Sequence, residues 1–127
     1  MESENKTTNV LDAISTLTPD AIEALDNAVL AEQCRRSFYT FVKTMWGEII
    51  EEKPVWNWHI QYLCKVLQTV SERVFKREPK LYDLIVNVPP GTSKSSIISV
   101  FHPVWVWTRD PSIHSICSSY SYDLSLE

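Results

Sequence analysis

Apolar residues recur at helical spacing through the first sixty per cent or so of the chain and then give way to short continuous runs. Thr18-Pro19-Asp20 reads as a helix start, with a hydroxyl at the cap, proline in the first turn and an acid beside it. Leu17 is placed to staple onto Ile22. Ile22, Leu25 and Val29 follow at helical steps, with Ala21, Ala24, Ala28 and Ala31 beside them. A second stripe comprises Phe38, Phe41, Val42, Met45, Trp46 and Ile49. The pattern allows one long helix or two. Glu51-Glu52-Lys53-Pro54 closes the segment. Trp56, Ile60, Leu63, Leu67, Val70 and Val74 then predict a helix from residue 55 to 76, with Gln61, Lys65, Gln68 and Glu72 on another face.

Beyond Lys80 the texture changes. Leu84-Ile85-Val86-Asn87-Val88 is a short, branched, apolar run and predicts a buried strand. Pro89 to Ser93 reads as a loop, and Lys94 to Thr108 as a helix bent or broken at Pro103. Ile113 to Ser118 predicts a second strand, and a further helix is expected from Ser121. Strand, loop, helix, turn, strand is a βαβ unit. The expected fold class is therefore α/β, an incomplete core behind a helical N-terminal segment.

Composition narrows the function classes. The chain has 127 residues, 44% of them apolar, with 12 basic and 16 acidic side chains and a net charge of -4. Bulk positive charge for coating nucleic acid is absent. Residues 1 to 35 carry the net negative charge and read as an acidic helical segment, with residues 1 to 8 a disordered lead-in; residues 36 to 127 are nearly balanced. No apolar run reaches the roughly 18 residues of a membrane span. The polar start MESENKTTN predicts no signal peptide. Cys34, Cys64 and Cys117 are widely spaced and fit reduced thiols better than a disulfide framework.

The candidate chemistry lies in the loop Val88-Pro89-Pro90-Gly91-Thr92-Ser93-Lys94-Ser95. A phosphate loop needs inward backbone N–H groups at a helix start, a lysine for the outer phosphates and a neighbouring hydroxyl for Mg²⁺. Lys94 and Ser95 fill the last two roles. In the strict pattern G-x-x-x-x-G-K-[ST] the two glycines would fall on Val88 and Ser93, so both are replaced here. Serine is small, and Gly91 offers flexibility nearby.

The loop resembles the PPGTGKT of AAA+ ATPases with one glycine replaced. The wider chain resembles the N-terminal part of a tailed-phage terminase large subunit, the DNA-packaging motor. Four stretches carry the resemblance, in order: SFYTFVKTMWGEI (37 to 49), VWNWHIQYL (55 to 63), DLIVNVPPGTSKSS (83 to 96) and FHPVWVWTRDPSIHSICSSYS (101 to 121). The family's loop commonly carries an arginine where Gly91 stands.

The resemblance implies a P-loop, RecA-like ATPase core over residues 36 to 127. ATP phosphates would sit at Gly91, Thr92, Ser93, Lys94, Ser95 and Ser96, with Mg²⁺ at Ser95. Gln61 would read adenine, its amide offering both a donor and an acceptor; on its own it reads equally well as a solvated residue of a polar helix face. The parent would hydrolyse ATP to move double-stranded DNA into a procapsid, with the portal protein and the small terminase subunit as partners, in the cytoplasm of an infected or lysogenic bacterial host. It would cut DNA in a nuclease domain outside this sequence. Asp123 and Glu127 are at helical spacing rather than behind an apolar strand, so the chain reads as ending before the Walker B acids and as inactive alone. Two other readings stay open: another P-loop ATPase of AAA+ or helicase type, and a non-catalytic nucleotide-binding or interaction module.

The remaining features read as structural. His59, beside two tryptophans, reads as a packing or capping residue, and His102 and His114 lack ligand partners in sequence. Arg73, Lys76, Arg77 and Lys80 read as a solvated helix end, Arg109 as a surface residue near a turn, and Trp105 and Trp107 as core.

Overall fold

The computed structural model describes residues 10, 12, 13 and 15–118. The lead-in at residues 1 to 8, the helix expected from Ser121, and Asp123 and Glu127 lie outside the described residues. The chain divides into two compact units, Met1–Glu32 and Gln33–Glu127.

Helix α1 spans Pro19–Arg36. Its start is capped mainly by the backbone of Thr18, whose carbonyl accepts from Ala21 and Ile22 at 3.0 and 3.1 Å. The Thr18 hydroxyl is more distant from the Ala21 N–H, at 3.4 Å. In the first unit no residue from Pro19 to Glu32 is buried. The alanines spread apolar surface around the helix instead of confining it to a stripe, so no single face is selected for burial.

Ser37 decides between one helix and two. It adopts extended backbone, and its hydroxyl accepts the Thr40 N–H at 3.2 Å, which caps helix α2 (Phe38–Ile49). Helix α3 spans Trp58–Phe75. It ends in a left-handed turn at Arg77 (φ 57°), closed by the Glu78 N–H donating to the Arg73 carbonyl at 2.9 Å.

The third packing element starts at Lys94. It runs as a π-helical segment, Ser96–Phe101, straight into helix α4, His102–Arg109. The wide winding is visible in the His102 N–H, which donates to the Ile97 carbonyl five residues back. Pro103 has no N–H to continue the regular ladder, and the chain accommodates it by widening the preceding turn rather than breaking.

These elements build one core in the second unit. Phe38, Phe41, Val42 and Trp46 from α2 meet Ile60, Leu63, Cys64 and Leu67 from α3, and Ile97, Phe101, Trp105 and Val106 from the last element. Each large side chain fully buried contributes about 1.5–3 kcal/mol. Trp46 stacks on Phe101 at 5.5 Å, and Phe38 meets Trp105 at 5.1 Å. The Trp105 indole N–H donates to the Cys34 carbonyl at 3.0 Å, so the largest core side chain is also satisfied. Trp107, two residues on, faces away from Trp105 and is exposed, its indole N–H donating to the Ile113 carbonyl at 2.9 Å.

The α/β expectation is overturned. The described residues form helices and no strand, which is not a RecA-like sheet. Residues 84–88 and 113–118 belong to no helix or strand. Branched residues favour extended backbone, yet a strand exists only through its ladder, and these segments have no ladder partner among the described residues. Ile85 and Ile116 are accordingly 89% and 95% exposed. Val86 and Ile113 still pack against the helical core. No described helix is long and apolar enough to cross a membrane.

Candidate functional site

The loop before the last helical element carries two backbone conformations that are uncommon together. Gly91 has φ +77° and Ser93 has φ +58°, both left-handed. Glycine adopts such a geometry freely, whereas serine carries a Cβ penalty of about 1–2 kcal/mol. Ser93 is also the position where the strict phosphate-loop pattern has its second glycine. The Thr92 hydroxyl donates to the Pro89 carbonyl at 2.8 Å and closes the turn. The Ser93 carbonyl accepts the Ile97 N–H at 3.0 Å, so Ser93 caps the helical run that follows. The first N–H groups of a helix have no intrahelical partner and attract anions.

The structure divides the candidate residues among three cavities. Gly91, Thr92, Ser93 and Ser96 line a cavity of about 520 Å³. Lys94, half-buried, lines a separate apolar groove of about 250 Å³ with Trp58, Tyr62 and Val88; Thr92 and His59 border both. Ser95 is exposed. Gln61 is exposed and lines a third cavity, of about 440 Å³, with Lys65, Gln68 and Glu72. Gly91, Thr92, Ser93 and Ser96 thus share one cavity, whereas Lys94 lines the neighbouring groove, Ser95 lines neither, and Gln61 lines neither.

Two residues at the loop cavity carried no functional weight in the sequence. Lys53 lines it from the connector between α2 and α3. His59 borders it from the first turn of α3, and its Nε2 is fully buried with no hydrogen-bond partner among the described residues. Buried polar atoms are nearly always paired, so an orphaned imidazole nitrogen beside a cavity is uncommon. The sequence signal was the crowding of Trp56, Asn57, Trp58 and His59 at a helix start, which could not distinguish a packed histidine from one left open.

Among the described residues no group of three His, Cys, Asp or Glu side chains is placed to hold a metal. Mg²⁺ commonly takes only one or two protein oxygens and completes its shell with phosphates and water. The exposed Ser95 hydroxyl could supply one such oxygen.

Four basic residues elsewhere are engaged within the chain. Arg109 bonds both Glu72 carboxylate oxygens at 3.0 and 3.4 Å and the Arg35 carbonyl at 3.0 Å, and lies over the rings of Phe75 and Trp105. Arg73 pairs with Glu78, Arg77 with Asp110 and Lys80 with Asp83. Cys34 and Cys64 are buried and Cys117 exposed, all three free. Burial pushes the Cys64 thiol up to about 12, which leaves it protonated and inert. Comparison with protein-family models, with curated proteins and with solved structures returned no match.

Proposed function

We propose that the 91–96 loop binds the phosphates of ATP, and that the chain belongs to a packaging motor subunit of the terminase type. The observation that carries the reading is the left-handed Ser93 immediately before Lys94. The chain holds serine in a glycine-like conformation at the position where a phosphate loop turns its backbone toward its ligand. The four ordered sequence stretches over residues 37 to 121 support the terminase assignment. In the parent, ATP hydrolysis would drive double-stranded DNA into a procapsid with the portal protein and the small subunit, inside the bacterial host. Lys94 would steady charge on the outer phosphates, and Ser95 would offer its hydroxyl to Mg²⁺, which would neutralise charge on them.

A second reading is binding without turnover. Glu52 is the one carboxylate residue on the wall of the loop cavity. Phosphoryl transfer to water ordinarily needs one acid for the metal and another group to position the water. Isothermal titration of ATP against wild type and Lys94→Ala tests the site, and phosphate release tests turnover. The expected outcome is binding by wild type, loss of binding in the variant and no turnover by this chain. Equal ATP affinity in the two proteins would remove the loop assignment.

A further inference from the structure

The connector between α2 and α3 lines the same cavity as the phosphate loop, and it has the chemistry to take part in binding. Lys53 is exposed and lines that cavity with Gly91, Thr92, Ser93 and Ser96, whereas Lys94 lines the neighbouring groove. Glu52, also on that connector, has its carbonyl occupied by the Trp46 indole N–H at 3.0 Å, which anchors the connector to the core beside Lys53. The orphaned Nε2 of His59 lies in a residue bordering the cavity. His χ2 is a soft torsion, so a small turn of the ring can offer a nitrogen to a ligand that the apo cavity does not satisfy.

We infer that Lys53 is a second phosphate-binding cation, meeting a polyphosphate chain held by the 91–93 backbone from the connector between α2 and α3, with His59 as a hydrogen-bonding neighbour. The inference rests on the loop reading above and adds a residue outside the motif. The ligand class is a linear polyphosphate, the triphosphate of a nucleotide or inorganic tripolyphosphate. A cation in the loop cavity compensates charge that the lysine of the neighbouring groove would meet alone. Glu52 opposes an anion in that cavity, which makes the Lys53 charge the more necessary.

The experiment titrates ATP and, separately, inorganic tripolyphosphate into the full chain and into Lys53→Ala, Lys53→Arg, His59→Phe and Lys94→Ala. Far-UV circular dichroism checks that each variant folds; Lys53 is exposed and its replacement touches no core residue. Lys53→Ala is expected to weaken both ligands about tenfold or more, as for loss of a charge-assisted hydrogen bond. Lys53→Arg should restore most of that loss, and His59→Phe should weaken binding by a smaller factor. If Lys94→Ala abolishes binding while Lys53→Ala leaves it unchanged, the Lys53 inference is wrong and the loop reading stands. If wild type binds neither ligand, the loop reading fails and the inference fails with it.

Discussion

Arg109 and Glu72 form a two-point ion pair, Nη1 to Oε1 at 3.0 Å and Nη2 to Oε2 at 3.4 Å, that ties the end of α4 to α3. The same guanidinium lies 4.8 Å from the Phe75 ring centre and 5.6 Å from that of Trp105. Planar stacking, a forked hydrogen bond and partial burial coincide on one side chain, unlike an ordinary exposed pair. Arg109→Ala is expected to destabilise the chain by about 1–3 kcal/mol. Arg109→Lys should recover only part of that loss, because an ammonium cannot reproduce the fork or the stacking. Urea denaturation of both variants measures it, and a loss below about 0.5 kcal/mol for Arg109→Ala would show that the pair is ornamental.

His102 sets the acid limb of stability. Its Nε2 is 2.7 Å from the Ser71 hydroxyl, which itself donates to the Leu67 carbonyl at 2.8 Å. The hydroxyl proton being used, Nε2–H is the donor to Ser71. Burial holds its pKa below the ordinary 6.5. The unfolded chain therefore binds a proton near pH 6.5 that the folded chain refuses. This contribution is complete above that pH and is lost as pH falls from 6.5 toward the lowered folded value. The urea midpoint should drop between pH 7.5 and 5.5, and His102→Gln should flatten the drop. Asp110 acts in a lower window: hydrogen bonds from Ser112 depress its carboxyl below 3.8, so its contribution is lost only in stronger acid. An unchanged wild-type midpoint between pH 7.5 and 5.5 would contradict the assignment.

Ser93→Gly should be at least as stable as wild type, with a gain of up to about 1 kcal/mol, since relief of the left-handed Cβ strain outweighs or balances the added freedom of the unfolded chain. Gly91→Ala should move the other way by a similar amount. A Cβ at Gly91 meets no atom within 4 Å, so backbone conformation alone is responsible. Thermal melts decide both, and a Ser93→Gly variant less stable by more than about 1 kcal/mol would mean that the serine side chain matters more than the turn.

The segment 84–88 carries an aggregation hazard. Ile85 is 89% exposed on unpaired backbone, near Trp58 and Tyr62, which are 79% and 62% exposed. Ile85→Lys should leave the folding free energy within about 0.5 kcal/mol of wild type while raising the concentration at which light scattering appears. Equal scattering onset in the two proteins would place the sticky surface elsewhere.

Helices were legible in the sequence because their evidence is local. The steps from Ile60 to Leu67 and from Phe38 to Trp46 each describe one buried face, whereas the Ser37 cap that separates α1 from α2 was not read from the sequence. The sheet was misread for the complementary reason. Val86 and Ile113 are apolar in patterns that suit strands, but a ladder depends on a partner segment, which periodicity does not report. Pro103 marked the site of an irregularity, and the widened turn that absorbs it has no sequence signature. The loop of Gly91 to Ser96 was singled out as a candidate site through residue types at fixed spacing. Lys53 and His59 were not, because they reach the cavity from a different element through tertiary packing. Arg109, which resembles any charged residue beside a turn, showed its role only through Glu72, Phe75 and Trp105.

Amide hydrogen–nitrogen spectra of the chain, titrated with ATP in the presence of Mg²⁺, test the phosphate loop most directly. Backbone amides of Gly91, Thr92, Ser93, Lys94, Ser95 and Ser96 should shift together, saturably, and the same titration of Lys94→Ala should leave them still. Saturable shifts confined to other residues, or no shift in the loop at ATP concentrations well above physiological, would contradict a phosphate site there.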